Sequence, residues 1–260
     1  QPSELRVWRI DDTSINPQGN CRWRVLCQRT SNASSYTSPS NIDSTRRWRS
    51  VNNQWQPTAT IRLREQDICG GSQGDCHIYV DQINLNRSTL FIENGSRPVV
   101  IHLLGSAQGR TTGQAGAPGT ISLGTNALIC GVEVNSTTCN NKPESLVITT
   151  EATNSPDRCN SSDHRLVLNG NSLPAAWVLM RQGTVALAND SVLNGIIWTH
   201  SFCSNNHRLE LNGQSRGLGT DSYLQTAAAL WDWSGKGFTG YGRKTTRGIR
   251  GTGLDQFQRF

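Results

Sequence analysis

The stretch CNSSDHRLVLNG (159–170) recurs as CSNNHRLELNG (203–213), one residue shorter. Each copy contains a cysteine, a polar loop, a His-Arg pair, a run that alternates apolar and polar residues, and an Asn-Gly dipeptide. Alternation with a period of two predicts a β-strand with one buried face, and Asn-Gly predicts a turn or a position of positive φ. The duplication therefore indicates a repeated structural unit.

The spacing of the two copies predicts a parallel β-helix, also called a β-solenoid. Their cysteines are 44 residues apart, and two further strand-like segments lie between them, around 175–189 and 191–199. The period thus divides into two turns of about 20 residues, a size typical of stacked β repeats. If Asn-Gly formed a hairpin turn instead, a β-sandwich would result. In the solenoid, four leucines are expected to form one buried ladder: Leu166, Leu168, Leu209 and Leu211.

His164 and His207 are the candidate metal ligands within the repeated unit. Each is followed by arginine, and no carboxylate recurs at a matching position. Metal sites need several converging His, Cys, Asp or Glu side chains. We therefore interpret the two histidines as stacked corner residues, and the sequence predicts no metal and no cofactor.

The mainly β chain divides into three predicted regions. Residues 1–75 form an Arg/Trp-rich β region that packs on the solenoid, 76–213 form the solenoid body, and 214–260 form a short helix and an extended Arg-rich tail. The only segment that predicts a helix is SYLQTAAALWDW (222–233). The Gly-rich segment 105–119 lacks the spacing of a phosphate-binding loop and is interpreted as an exposed loop. Further strands of the body are predicted at 77–85, 89–95, 99–105, 120–134 and 144–150.

Eight cysteines, an even number, predict a disulfide framework and hence an extracellular or cell-surface location. The absence of a Cys-x-x-Cys motif argues against zinc and thioredoxin-like sites. Sequence alone leaves the pairing open, but the entropy of loop closure favours nearest neighbours. The candidate pairs are Cys21–Cys27, Cys69–Cys76, Cys130–Cys139 and Cys159–Cys203.

Positive charge is concentrated at the two ends of the chain. The net charge is +6 over residues 1–64, −5 over 65–235 and +5 over 236–260, and 22 of the 25 basic residues are arginine. Arginine suits planar, bidentate or stacked contacts.

The alternation of tryptophan with arginine near the start of the chain, as in CRWRVLC (21–27), predicts an amphipathic strand with Arg stems over Trp rings. An Arg/Trp surface for an anionic polymer is the alternative.

The tail from residue 236 combines arginine, glycine and aromatic residues. One interpretation is a polyanion-binding arm, in which cations contact the charge of DNA or an acidic polysaccharide and an aromatic ring stacks on bases or sugars. The other is a strap that lies over the acidic body and covers exposed core. The candidate polyanion-binding residues are Tyr241, Arg243, Lys244, Arg247 and Arg250.

The stretch LPAAWVLMRQGTVALANDSVLNGIIWT (173–199) resembles β-solenoid ectodomains of the pilin-like and PilX-like proteins associated with bacterial type IV pili. The Arg-rich tail is similar to that of cyanobacterial pilin-like proteins, so the resemblance covers about 120–213 and the tail. It implies an extracellular, non-enzymatic role in filaments or cell adhesion, with other pilus subunits or further copies of the chain as partners. The hydrophobic N-terminal helix of a pilin is absent from the sequence, and membrane attachment is expected only through such a missing helix.

These observations predict a structural or adhesive surface protein rather than an enzyme. The alternatives are a minor pilin that binds DNA or acidic polysaccharide and a β-helix enzyme that acts on polysaccharide. Such an enzyme needs converging carboxylates for acid-base chemistry. Asp75 and Asp81 are the best candidates, because the adjacent Asp11 and Asp12 would point to opposite faces of a strand.

Overall fold

The structure is a computed structural model that describes residues 5–12, 25–30, 33, 35–37, 43–44, 47–51, 54–70, 74–95, 97–105, 119–150, 159 and 163–212. Over these residues the chain is mainly β. The strands are β1 (Arg6–Asp11), β2 (Leu26–Thr30), β3 (Asp43–Ser44), β4 (Arg47–Val51), β5 (Gln54–Thr58), β6 (Thr60–Arg64), β7 (Cys76–Leu85), β8 (Thr89–Glu93), β9 (Val99–Leu103), β10 (Thr120–Leu123), β11 (Leu128–Val132), β12 (Leu146–Thr150), β13 (Arg165–Gly170), β14 (Ala175–Cys203) and β15 (Leu209–Asn212). The strands predicted from alternation are confirmed for β7 to β9, β12, β13 and β15, which begin and end within a few residues of the predicted segments. The predicted segment 120–134 contains two strands, β10 and β11, and the predicted segments 175–189 and 191–199 both lie in one strand, β14.

Six parallel strands form a closed β-barrel in the order β7-β10-β13-β14-β12-β9, with β9 pairing back to β7. The circuit closes because each long strand pairs with different neighbours along its length. Residues 76–80 of β7 pair with β9 and 82–85 pair with β10, while 177–179 of β14 pair with β12 and 184–187 pair with β13. The predicted β-solenoid is therefore wrong, because the strand order returns to its start instead of extending as an open stack.

The core of the barrel is built from two ladders of directly paired aliphatic residues. Each member is at most 1% exposed, and burial of such a side chain contributes about 1.5–3 kcal/mol. Because a shift of one residue would turn a whole strand's apolar set outward, these ladders fix the register. One ladder is Ile83, Ile121, Leu166 and Val185, and the other is Ile78, Ile101, Ile148 and Val178.

The two copies of the repeated sequence occupy different positions in the barrel. In the first copy Leu168 is buried opposite Leu187 of β14, whereas in the second copy Leu211 pairs with Leu193 and is 49% exposed. The predicted common leucine ladder is therefore wrong. The expected positive φ of the Asn-Gly glycine is present in the first copy, where Gly170 has φ 57°.

A second parallel sheet lies beside the barrel in the order β11-β8-β6-β3, with β3 antiparallel. Its ladder of Ile61, Leu90 and Ile129 packs into the same core as the barrel. Strand β1 pairs in parallel with β7 and in antiparallel with β2. Strands β4 and β5 form a separate hairpin.

The strand β14 bends along its 29 residues, so that its last third returns to its first. The N–H of Asn194 donates to the carbonyl of Pro174 at 2.8 Å, and Gly195, at φ 151°, lies directly against Ala176. A Cβ on Gly195 would be 1.9 Å from the Ala176 carbonyl oxygen. The close approach of the two backbone segments therefore requires glycine at this position.

Within the described residues the single α-helix is α1 (Glu65–Cys69), which follows β6. The sequence did not predict this helix. A 3₁₀ turn at Pro143–Ser145 precedes β12. The helix predicted at 222–233 and the basic tail lie outside the described residues. In the part of the chain that is described, no helix has the length and apolar character needed to cross a membrane.

Candidate functional site

A cleft of about 460 Å³ opens where the start of β1, the helix α1 and the first half of β7 meet. Its lining mixes charged, aromatic and apolar side chains. Those that bear on its chemistry are Leu5, Arg6, Trp8, Asp67, His77 and Tyr79. A cavity of this size accommodates a small molecule or one residue of a polymer.

The pairing of β1 with β7 brings both walls of the cleft to the same end of the fold. Val7 is opposite Tyr79 and Trp8 is opposite Val80, so Arg6 and His77 precede the paired region on parallel neighbours. The helix α1 packs against β7 at this end and adds Asp67. Arg6 and His77 are exposed, whereas Trp8 is 1% exposed and belongs to the core.

His77, His102 and Tyr79 form a contiguous cluster beside the cleft. The Nδ1 atom of His77 is 2.7 Å from the Nε2 atom of His102, which is a hydrogen bond in which one nitrogen donates and the other accepts. His102, on β9, is buried and stacks on the Tyr79 ring with centroids 4.7 Å apart and an interplanar angle of 18°. These contacts hold the Tyr79 ring in one orientation at the cleft wall.

Arg6 is the cation that faces the cleft. Its guanidinium carbon lies 5.7 Å from the centroid of the Trp8 ring, a cation–π contact that orients the side chain. No ion pair joins Arg6 to a carboxylate of the described residues. The acid of the cleft, Asp67, has its nearest cationic atom at 3.7 Å, in the Arg64 side chain.

The wall formed by α1 is fixed by covalent and ionic contacts. The Cys69–Cys76 disulfide ties the end of α1 to the start of β7. Arg97 donates to the Glu65 carboxylate and to the carbonyl oxygens of Gly74 at 2.7 Å and Gly70 at 3.1 Å. Because one guanidinium contacts carbonyl groups on both sides of the disulfide, Arg97 adds a second link between the end of α1 and the segment before β7.

A buried ionic cluster lies further along β7. The carboxylate of Asp81, which is fully buried, accepts hydrogen bonds from the Tyr36 hydroxyl and from Arg29 Nε at 3.4 Å. Arg9 stands 5.7 Å from the Tyr36 ring centroid and pairs with Asp11 at 3.1 Å. Burial raises the pKa of Asp81 to about 6, although the hydrogen bond from Tyr36 and the two arginines oppose this shift. Burial and the adjacent Asp81 also raise the pKa of Tyr36 above its ordinary value.

Two other buried carboxylates hold turns of the scaffold. Asp12 accepts the backbone N–H groups of Asn86, Arg87 and Ser88 at 2.7–2.8 Å, and so caps the turn after β7. Glu93 pairs with Arg62 at 2.7 Å and accepts the N–H of Asn135 at 3.1 Å. Asp11 and Asp12 therefore have different partners, as expected for strand neighbours that point to opposite faces.

The residues predicted as candidate acids do not converge on the cleft. Asp81 is enclosed by Tyr36 and Arg29, and Asp75 is half-buried in the segment before β7. The two histidines of the repeat are also separate: His164 Nδ1 is 2.5 Å from Thr150 Oγ1, and His207 is 3.7 Å from Asp190. Among the described residues no group of three or more His, Cys, Asp or Glu side chains could hold a metal ion.

Six of the eight predicted disulfide cysteines are paired in the described part of the chain. The bonds are Cys69–Cys76, Cys130–Cys139 and Cys159–Cys203, which coincide with nearest-neighbour pairing. Cys27 is also disulfide-bonded. Its predicted partner Cys21 lies outside the described residues, as do the candidate polyanion-binding residues Tyr241, Arg243, Lys244, Arg247 and Arg250.

Sequence reasoning did not identify the cleft. The one sequence signal that pointed toward the cleft is the alternation in the predicted strand 77–85, which puts His77 and Tyr79 on the same face. Their contact with His102 depends on the register between β7 and β9, and Arg6 joins them only because β1 pairs with β7. Both pairings join strands that are distant in sequence, and that of β1 with β7 lies outside the closed ring.

Comparisons with protein-family models, with curated proteins and with solved structures find no match to this chain.

Proposed function

We propose that this chain is an extracellular structural or adhesive protein of a bacterial surface, pilus-associated or a filament subunit, and that it is not an enzyme. The observation that carries the proposal is the disulfide framework. The three bonds tie α1 to β7, the loop after β11 to that strand, and the segment before β13 to the end of β14. Such a framework is compatible with an extracellular location, because cytoplasmic reductants keep most thiols reduced.

The use of charged side chains supports a scaffold role. Asp81, Asp11 and Glu93 each contact an arginine in the interior, and Asp12 caps a turn. Carboxylates that are enclosed in this way hold elements together and are withdrawn from substrate. The enzyme alternative therefore receives less support than the structural role.

The alternative of a minor pilin that binds DNA or acidic polysaccharide depends on the tail residues from Tyr241 to Arg250. It stays a prediction from sequence. The assignment to pilus-associated proteins likewise rests on the resemblance of the stretch 173–199, which also implies the proposed partners, other pilus subunits or copies of the chain.

Location and cysteine state can be tested together on intact cells that produce the protein. We expect externally added protease to digest the protein while a cytoplasmic marker in the same cells survives. We also expect a thiol reagent, added after denaturation without a reductant, to label no cysteine. Protection from protease combined with labelling of two or more cysteines would overturn the proposed location and role.

A further inference from the structure

The sequence contains six Asn-x-Ser/Thr triplets, the acceptor motif for N-linked glycosylation of exported proteins. A chain so rich in asparagine, serine and threonine produces such triplets by chance, so their number alone does not select a site. The structure does select, because a glycan is bulky and needs an exposed asparagine whose amide nitrogen has no other partner. The asparagines of four triplets are among the described residues: Asn86, Asn94, Asn135 and Asn189.

Three of these four triplets take part in the fold. Asn94 is 6% exposed, and its side-chain nitrogen donates to a backbone carbonyl at 2.8 Å. In the triplet that begins at Asn86, Ser88 is fully buried and its hydroxyl accepts a backbone N–H at 3.0 Å. In the triplet that begins at Asn189, Ser191 is buried and its hydroxyl donates to a backbone carbonyl at 2.9 Å. In the folded chain, recognition of these triplets would have to break such contacts.

The triplet Asn135-Ser136-Thr137 lies at the tip of the turn that follows β11. The N–H of Ser136 donates to the Glu133 carbonyl at 3.0 Å, and Asn135, at φ 59°, takes the third position of this β-turn. Asn135 and Thr137 are exposed, and neither side chain forms a hydrogen bond with the described residues. The positive φ accounts for asparagine at 135 but not for threonine two residues later.

The contacts that hold this turn leave the Asn135 side chain free. The loop that contains it is closed by the Cys130–Cys139 disulfide. Arg62 donates to the carbonyl of the triplet's serine at 2.6 Å, and the Glu93 carboxylate accepts the Asn135 N–H at 3.1 Å. Because both contacts use main-chain atoms of the triplet, a group attached to the Asn135 side chain disturbs neither of them.

Two features of the sequence also distinguish this triplet. Of the six triplets, it alone has threonine as its hydroxyl residue, and it alone has an acidic residue two positions before the asparagine. That residue, Glu133, is 53% exposed and pairs with Lys142 at 2.6 Å. A surface carboxylate at this distance gives a transferase a charged group by which to recognise the triplet.

We infer that the side-chain amide of Asn135 carries an N-linked glycan. In the step that attaches it, Nδ2 attacks the anomeric carbon of a sugar that a membrane lipid carries through a pyrophosphate. The N–C bond forms as the bond from that carbon to the phosphate oxygen breaks, and the lipid pyrophosphate leaves with the electron pair. A base of the transferase takes the amide proton. The inference rests on the proposed extracellular location, because such transfer modifies exported chains.

Mass spectrometry of the full chain, isolated from cells that produce it, tests the inference. We expect the peptide that contains Asn135 to carry the mass of a hexose or hexosamine chain, and fragmentation to place this mass on the Asn135 side chain. The peptides that contain Asn86 and Asn189 should be unmodified. An unmodified Asn135, a sugar on the Ser136 or Thr137 hydroxyl, or equal modification of Asn86 and Asn189 would overturn the inference.

Variants separate the triplet from the turn that contains it. Asn135→Gly removes the amide but tolerates the positive φ, and Thr137→Ala removes the hydroxyl, so each should lose the added mass completely. Thr137→Ser keeps the hydroxyl and should retain the mass. Thr138→Ala is the matched control, because Thr138 is an exposed threonine directly outside the triplet. All four variants should keep a melting temperature close to that of the unaltered chain. Retention of the mass in Thr137→Ala, or its loss in Thr138→Ala, would contradict N-linked transfer at this triplet.

The mass of the protein and its accessibility to external protease together separate this inference from the proposed function. An unmodified Asn135 in a protein that external protease digests would reject the glycan alone. A modified Asn135 in a protein that external protease cannot reach would reject the proposed surface location alone.

Discussion

Asp81 makes the stability of the fold depend on pH in a direction opposite to that of an ordinary ion-paired carboxylate. Its pKa rises to about 6 on folding from an ordinary value of 3.8, chiefly through burial. The folded state therefore binds a proton more tightly than the unfolded state between these two values. The stabilisation of the folded state by protonated Asp81 is fully present below about pH 4, decreases as the pH rises to 6, and does not change further above that. The free energy of unfolding changes by about 3 kcal/mol at most over this range.

Asp81→Asn should remove this pH dependence while keeping an acceptor for Tyr36. We expect the free energy of unfolding of the native chain, measured by urea denaturation relative to the variant, to fall between pH 4 and 6. Asp190→Asn is the control, because the Asp190 side chain is 63% exposed. A difference between the native chain and Asp81→Asn that stays constant from pH 4 to 7 would show that Asp81 is not a buried titrating group.

At the scale of elements, the Cys159–Cys203 bond should contribute more to stability than the shorter disulfides. It spans 44 residues, whereas Cys130–Cys139 spans 9. Chain entropy then assigns about 4 kcal/mol to the long bond and about 2.6 kcal/mol to the short one. Double alanine substitution of each pair, followed by denaturant unfolding of both proteins, should reproduce this order, and an equal loss would indicate that strain or residual structure dominates.

The elements also show how far the sequence determines the fold. Alternation in segments such as 77–85 and 99–105 predicted the strands correctly, because one buried face is a local property. The Asn-Gly repeat predicted the positive φ of Gly170 correctly but placed Leu211 wrongly, because two similar local sequences pair with different parts of β14. The helix α1 has only five residues, too few for a periodic signal.

At the scale of the whole molecule, the barrel could not be predicted because closure is a property of pairings between distant strands. The contact of Gln82 with Thr120 completes the ring, and nothing in either segment indicates the other. The candidate site shares this origin, since Arg6 and His77 line one cleft only after β1 has paired with β7. Among the contacts between distant residues, the cysteine pairs could be anticipated. Cys69–Cys76 and Cys130–Cys139 close short loops at little entropic cost, and Cys159–Cys203 is the pair that remains.

A closed ring should unfold as one unit over the described residues, and the two core ladders test this. Ile121 and Ile148 stand in different ladders of the same buried cluster and are both fully buried. Alanine at either position should cost about 2–5 kcal/mol through lost burial and the cavity that remains. Because the ladders share strands β7 and β14, each substitution should move the whole transition rather than one part of it.

The measurement is urea unfolding followed in parallel by far-ultraviolet circular dichroism and by tryptophan fluorescence. We expect the two probes to give coincident midpoints in Ile121→Ala and in Ile148→Ala, displaced from the native midpoint in the same direction. Thr199→Ser, which keeps the hydroxyl that donates to the Gly183 carbonyl at 2.7 Å on a half-buried residue, is the control and should leave the midpoint nearly unchanged. If either variant separates the two probes, the ladders belong to independently stable parts, and closure of the barrel does not make the strands cooperate.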